Sequence, residues 1–265
     1  MDFTANIERF TGFADHYDQF RPSPPEALAG LVGQYLQMDQ PRLVVDLGCG
    51  SGLSTRYWSG RAEAVVGVDP TEAMLNQARS LAMPCVQYRL GFSHATGLAD
   101  ESADIVTCSQ SLHWMDPQPT FDEVARVLRT GGIFAAYDYD WPPVTTAPEV
   151  DVLYRECMEN ARKLEKAAGV SSEVRRWGKS GHLARMQESG CFRFVRECTL
   201  HHTDEGNADR IVGLLLSQGH VQTLLKAGFT ESELRVDQLR EIAGKRLGSH
   251  PQRWYWSSRV RLGVK

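Results

Sequence analysis

The 265-residue sequence predicts an α/β fold, a doubly wound, mostly parallel sheet of seven strands with an added helical segment. Three observations predict it. From about residue 40 to 140, short apolar runs alternate with amphipathic stretches, the order that lays helices on both faces of a parallel sheet. The run RLVVDLGCGSG passes from a wholly apolar strand straight into glycines, as the strand-to-helix turns of such sheets do. Beyond Trp141 the pattern changes to long helical stretches, broken by FRFVRECTLHH and closed by WYWSSRVRLGV, which supply a sixth and a seventh strand.

Each element has a local reason. PPEALAGLVGQYL reads as an amphipathic helix, with Pro24 and Pro25 at its opening, where a missing N–H costs nothing. Leu43, Val44, Val45 and Leu47 make a strand buried on both faces, and a helix is expected from Leu53 to about Trp58. AEAVVGVDP is the second strand, stopped by Pro70, and TEAMLNQARSLA is a helix with Thr71 as its N-cap. CVQYRLG and ADIVTCSQSL are the third and fourth strands. In PTFDEVARVLRTGG, Phe121, Val124, Ala125 and Leu128 recur at helical spacing, and Gly131 and Gly132 are the expected stop. IFAAYDY is the fifth strand. Residues 149–167 and about 205–247 read as helices.

Composition narrows the function. A net charge of −4 argues against a uniformly basic nucleic-acid binder, and no apolar run approaches the roughly 20 residues of a membrane span. MDFTANIERF lacks the basic-then-apolar profile of a secretory leader. The six cysteines are widely spaced without a C-x-x-C, as reduced thiols in the cytoplasm would be. The charge is uneven: residues 1–150 hold 9 Arg, no Lys and 19 acids, whereas residues 151–265 hold 20 bases against 14 acids. Solvated helix surface accounts for that, and so does a basic face for an acidic ligand.

The most informative segment is Asp46-Leu47-Gly48-Cys49-Gly50-Ser51-Gly52, at the carboxyl end of the first strand. Glycines there let the backbone turn sharply and approach a ligand. A dinucleotide site wants G-x-G-x-x-G to seat a pyrophosphate; here the spacing is G-x-G-x-G and Asp46 precedes it, which suits a cationic group instead. That counts against a nicotinamide-dependent oxidoreductase. Asp69, ending the second strand 17 residues past Gly52, can accept from both hydroxyls of a ribose. A nucleoside with a cationic tail and no pyrophosphate fits both acids, and S-adenosylmethionine is such a ligand.

VVDLGCGSG, VVGVDPTEAML, DIVTCSQSLHW and EVARVLRTGG, in this order, resemble the motifs of class I S-adenosylmethionine-dependent methyltransferases of the small-molecule, methyltransferase type 11-like branch. FADHYDQFRPSPP and SLHW are similar to the trans-aconitate-methyltransferase-like group within it. The resemblance covers about residues 10–140. It implies a Rossmann-like methyltransferase fold in a single domain over 1–265. Within that domain it implies a lid over 1–30, a cofactor core over 40–140, and a helical cover for the acceptor over 145–190 and 205–247. Carried over by position, Asp46, Gly48, Cys49, Gly50 and Gly52 line the methionine end, Asp69 holds the ribose, and Pro70 and Met74 pack on the adenine. Where the family often has Gly-Asp-Ala this chain has Gly91-Phe92-Ser93, so adenine recognition falls to Phe92, Ser93, His94 or backbone groups. Gln110, past the fourth strand, and Arg21, in the lid, complete the cofactor set.

The acceptor site is read from the loops. His113, in SLHWMD, is the candidate general base, needed for a phenol, amine or carbon acid but not for a carboxylate. Tyr17, Arg21, Trp114, Tyr137 and Trp141 are the candidate acceptor contacts, Arg21 because a guanidinium binds carboxylates bidentately. Alternation allows either Tyr137, Tyr139 and Trp141 or Asp138 and Asp140 to share one face. Arg175, Arg176, Trp177 and Lys179 form a basic cluster that could receive an acidic acceptor. Cys198, His201 and His202 lack a fourth ligand, and no metal is expected. The expected activity is methyl transfer to a small molecule such as a carboxylic acid, by O-methylation. The alternative is a non-catalytic S-adenosylmethionine-binding protein of regulatory function. No Asn-Pro-Pro-Tyr-like motif follows the fourth strand, and neither nucleic acid nor membrane is an expected partner.

Overall fold

The computed structural model describes residues 3–10, 18–81 and 83–265. In chain order the elements that matter here are α1 (Thr4–Phe10), α2 (Ala27–Leu36), β1 (Leu43–Leu47), α3 (Leu53–Tyr57), β2 (Ala64–Asp69), α4 (Glu72–Ser80) and β3 (Val86–Leu90). There follow β4 (Ala103–Ser109), α5 (Pro117–Val127), β5 (Leu128–Tyr139), α6 (Pro148–Ala168), α7 (His182–Glu188) and β6 (Phe194–Gly206). The chain closes with α8 (Ala208–Leu216), α9 (Gly219–Lys226), α10 (Val236–Arg246) and β7 (Gln252–Val264).

One seven-stranded sheet runs β3-β2-β1-β4-β5-β7-β6, with β1 to β5 parallel and β7 antiparallel to β5. The expected fold class is what the chain adopts. Two apolar layers sandwich the sheet, and the alternation of side chains along the strands assigns them. Val45, Leu47, Val106, Cys108, Phe134 and Ala136 pack with Phe121, Val124 and Val127 of α5 on one side. Val44, Val65, Ile105, Ile133, Ala135 and Tyr137 pack with Leu28, Val32 and Leu36 of α2 and with Trp58 on the other. Strand order reverses between β1 and β4. A crevice opens at the carboxyl ends of strands at such a point, and open α/β sheets bind their ligands there.

Two local expectations are corrected. Helix α5 does not run to Gly131 and Gly132; it ends at Val127, and Leu128 turns extended (φ −66°, ψ 135°). Leu128 is fully buried and pairs with Ala103, after which the β4–β5 register jumps to Ile105 opposite Ile133. The surplus residues on β5 are taken up where Gly131 sits at φ 78°. Thr71 does occupy the N-cap of α4, but its side chain makes no capping bond there. Its N–H donates instead to Asp69 Oδ1, at 2.8 Å.

The chain divides into two compact units. The sheet unit comprises residues 23–139, 175–200 and 258–265, so the stretch carrying Arg175 to Lys179 belongs with the sheet, and of the 145–190 segment only the residues up to Val174 fall in the helical unit. The helical unit contains the described residues up to Pro22 together with 140–174 and 201–257. Within it, Val150, Tyr154, Cys157, Ala161, Ile211, Leu214, Leu215, Leu224, Leu239 and Ala243 are buried. Trp254 and Trp256 are buried too while Tyr255 between them is exposed, as strand alternation requires. Among the described residues no helix is long and apolar enough to cross a membrane.

Candidate functional site

The glycine turn after β1 is a left-handed loop: Gly48, Gly50 and Gly52 have φ of 66°, 53° and 84°. The positive φ disfavours any other residue, and at Gly48 there is also no room. A Cβ there would lie 2.6 Å from Ser111 Cβ and 2.7 Å from Met115 Cε. The turn thus packs directly on the loop after β4. Ser111 Oγ reinforces the join by donating to the Leu47 carbonyl at 2.7 Å.

The loop's amides show what it can hold. The N–H groups of Gly48 and Cys49 donate to Val68 O (2.8 and 3.2 Å), and that of Gly52 to Cys49 O (2.9 Å). Gly50 N–H donates to Asp69 Oδ2 at 2.9 Å. A pyrophosphate needs convergent N–H donors, and these four are committed within the protein. Asp69 is different. Each of its oxygens accepts one backbone N–H, from Gly50 or Thr71, and an ionised carboxylate has room for about four donors. Burial pushes the Asp69 carboxyl up, and the two backbone donors together with the Thr71 side chain pull it back down. It lies 7% exposed beside the turn.

Asp46 faces the other way. The expectation set its carboxylate against a cationic tail. Instead it is wholly buried, with Oδ2 accepting from Ser54 Oγ (2.6 Å) and Thr55 Oγ1 (2.8 Å) and Oδ1 from Thr107 Oγ1 (2.9 Å). Burial raises its pKa and the three hydroxyls oppose the rise. Its position on β1 points it to the α3 side of the sheet, so it ties α3 and β4 to the turn. Ser54, Thr55 and Thr107 carried no signal in the sequence, because hydroxyl residues are common and their convergence is tertiary.

The remaining cofactor candidates divide. Met74 is buried, and a Cβ on Gly50 would lie 3.2 Å from its Cε, so it floors the turn beside half-buried Pro70. Cys49 is buried, and its thiol is pushed well up by desolvation first and then by Asp69 and Asp46. Phe92 is 40% exposed, with its ring 5.4 Å from that of His94, while the Ser93 hydroxyl shares a 2.8 Å hydrogen bond with Thr120. Phe92 thus offers an apolar face two residues beyond β3, near the Asp69 carbonyl that accepts from Gly91 N–H. Gln110 stands at φ 53°; its side-chain oxygen accepts from Lys179 Nζ at 2.7 Å, and its buried Nε2 has no hydrogen-bond partner among the described residues.

The acceptor candidates divide as well. His113 is buried in a 3₁₀ turn, its Nδ1 3.9 Å from Asp138 Oδ1 and its ring 4.6 Å from Trp114. The basic cluster comes to it. Trp177 N–H donates to His113 O at 2.9 Å, the exposed Arg176 guanidinium lies 5.2 Å over the Trp114 ring, and Lys179 Nζ is 2.7 Å from Asp138 Oδ1. Tyr137 is a correction: it is 1% exposed and belongs to the apolar layer with Ile105 and Val260, because alternation on β5 turns Asp138 toward the site. Arg21 and Trp141 lie in the helical unit. Arg21 donates to the Ser217 hydroxyl (2.9 Å) and carbonyl (2.7 Å) and stacks 4.8 Å over Trp141, so its carboxylate-binding fork is already engaged. Tyr17 lies outside the described residues. Among the described residues no cluster of His, Cys, Asp and Glu could hold a metal.

His182, on α7, gives this corner its pH dependence. It is 1% exposed, and burial, with Arg261, Arg185 and Lys179 nearby, lowers its pKa to about 4 against a pull from Asp138. Below pH 6.5 the unfolded chain binds a proton that the folded chain refuses until about pH 4. Stability present above 6.5 therefore drains as pH falls toward 4, by up to about 3 kcal/mol. Urea unfolding at stepped pH is expected to show this slope, flattened in His182→Gln. Identical slopes in both proteins would mean that another group controls it.

Comparison with known proteins agrees with the geometry. Residues 45–136 match the family described as "Methyltransferase domain". Over this segment the fold and the match are similar to those of S-adenosylmethionine-dependent methyltransferase domains. An "Uncharacterized methyltransferase" of Mycobacterium tuberculosis is 42% identical over 117 residues, 44% of this chain and 46% of the relative. A "Probable S-adenosylmethionine-dependent methyltransferase CRG1" of Saccharomyces cerevisiae is 31% identical over 147 residues, 53% of this chain and 50% of the relative. The chain thus spans about half the length of these curated relatives. A solved "Putative Type II Methyltransferase" of Anaeromyxobacter dehalogenans superposes with a TM-score of 0.65 and 26% identity, over 92% of this chain and 98% of that one.

Proposed function

We propose that the protein transfers the methyl group of S-adenosylmethionine to a small acidic molecule in the cytoplasm, by O-methylation of a carboxylate. The carrying observation is the cradle formed by the positive-φ glycines and Asp69: internal amides that exclude a pyrophosphate, beside a carboxylate with lone pairs for a ribose. When bound there, S-adenosylmethionine supplies a methyl on a positively charged sulfur. The chain's part is to hold and orient. Asp69 accepts from the ribose hydroxyls, Met74 and Phe92 offer apolar faces to the adenine, and the glycine turn keeps the backbone out of the way.

The acceptor side rests on the contact between the turn and the loop after β4. Ser111 packs on Gly48, and three residues on, Trp114 lies under the Arg176 guanidinium. A guanidinium can bind a carboxylate through two parallel hydrogen bonds. A carboxylate has no proton to lose, so positioning supplies most of the rate and His113 shapes the pocket instead of acting as the base. The likeness of SLHW to the trans-aconitate-methyltransferase-like group supports an acidic acceptor.

The test is release of S-adenosylhomocysteine over a panel of mono-, di- and tricarboxylic acids. Turnover with at least one acid is expected. In Arg176→Glu, KM for that acid is expected to rise at least tenfold, the order of one charge-assisted hydrogen bond, with kcat little changed. Binding of S-adenosylmethionine without turnover of any acid would leave the non-catalytic reading. An unchanged KM would remove Arg176 from the site.

A further inference from the structure

The connection from β3 to β4, residues 91–102, is fastened to α5 at Ser93, Thr96, Leu98 and Asp100, all within the sheet unit. Buried Thr96 gives both its N–H (2.8 Å) and its hydroxyl (2.6 Å) to Oε1 of Glu123, which is buried too. Arg126 grips the same carboxylate with two donors, Nη2 to Oε1 and Nε to Oε2, each at 2.8 Å. It also donates to the Leu98 carbonyl (2.8 Å) and to Asp100. Thr120 shares a 2.8 Å hydrogen bond with the Ser93 hydroxyl. Thr120, Glu123 and Arg126 recur every third residue and so share one face of the helix. Arg126 foremost, helped by Thr96, pulls the Glu123 carboxyl down to about 2 against its burial, so this clamp is charged at neutral pH. Phe92 is carried by the fastened segment. Ala95 N–H closes a tight turn onto the Phe92 carbonyl at 3.0 Å, Thr96 follows directly, and Gly91 N–H ties the other side to Asp69 O at 3.1 Å.

We propose that Glu123 is a positioning residue for cofactor binding: by locking Thr96 it fixes the turn that sets where the Phe92 ring stands for the adenine. The physical reason is conformational entropy. A connection without a helix or strand of its own loses its freedom when a ligand arrives, at a cost in affinity, unless the fold has already ordered it. Here one carboxylate oxygen gathers two donors from the loop, and Arg126 fixes that carboxylate while reaching two loop residues farther on. The ring is then presented in one place, and a base that stacks on it does not have to order the loop. The effect on affinity rests on the S-adenosylmethionine reading above; the placement of Phe92 by Glu123 does not.

Two measurements test it. The first needs no ligand: fluorine NMR of protein labelled with fluorophenylalanine, the Phe92 signal assigned by its loss in Phe92→Leu. Thr96→Ser keeps both donors and is expected to leave that signal in place, whereas Thr96→Val and, more strongly, Glu123→Ala are expected to shift or broaden it. An unmoved signal in Glu123→Ala overturns the proposal. Thr96→Val deletes a single hydrogen bond and gives the answer should Glu123→Ala not fold. The second measurement is the calorimetric affinity for S-adenosylhomocysteine. Glu123→Ala is expected to weaken it about tenfold in the wild-type background and less than about twofold in Phe92→Ala, because the loss runs through that ring. An equal loss in both backgrounds means that Glu123 only stabilises the fold, and it too overturns the proposal. Wild-type protein that binds neither S-adenosylmethionine nor S-adenosylhomocysteine defeats the functional reading instead, and the fluorine spectra then decide the placement of Phe92 on their own.

Discussion

Asp69→Ala is expected to weaken S-adenosylmethionine binding on the order of a hundredfold, measured by calorimetry. The variant would lose the two charge-assisted hydrogen bonds proposed to the ribose, each about 1.5–3 kcal/mol, and it would also free the Gly50 N–H that Asp69 holds at 2.9 Å. Asp69→Asn keeps one acceptor oxygen and should fall between. The same ligand affinity in Asp69→Ala and wild type would mean the ribose is not bound at this carboxylate, and the assignment of the whole cradle would fail with it.

The second large effect concerns stability. Asp46→Ala removes the single acceptor shared by Ser54, Thr55 and Thr107, leaving three buried hydroxyls without it. Unpaired buried polar groups cost about 1–3 kcal/mol each, partly recovered as hydroxyls rotate to other acceptors, so a loss of about 3–5 kcal/mol is expected in urea unfolding. Asp46→Asn retains an oxygen and should lose less than half of that. A loss below about 1 kcal/mol in the alanine variant would show that the turn does not depend on this carboxylate.

These two acids mark how far the sequence could be read. Both were found from position alone, because strand, turn and helix have different periods and the glycines punctuate them. Direction was harder. Asp46 lies one residue from the strand's end, and the polar pocket it enters is built from α3 and β4, which no local pattern on β1 announces. Asp138 and Tyr137 show the same limit in smaller form. Alternation said that only one could face the site, but the choice depended on α2 supplying the apolar layer that takes the tyrosine. Lys179 meeting Gln110 and Asp138 was beyond reach, since that contact joins segments that only the folded sheet unit brings together. The sequence predicts a carboxylate clamp at Arg21, whereas Ser217, far along the chain, accepts from its guanidinium.

The strand order has a consequence for how the sheet is made. β6 precedes β7 in the chain yet lies outside it, next to β7 alone. During synthesis β6 therefore emerges with no neighbour to pair with, and the free edge of β5 stays open until the C-terminal strand arrives. Ile133 to Tyr139 then find their partners in Ser258 to Val264, at the longest sequence separations of any strand pair in the fold. Closing so distant a pair costs more chain entropy than any other strand pairing here, by about 0.6 kcal/mol for each doubling of separation. A chain cut before Gln252 would lose more than one strand. It would strand β6 as well, and with it Glu197, the carboxylate that partners Arg261.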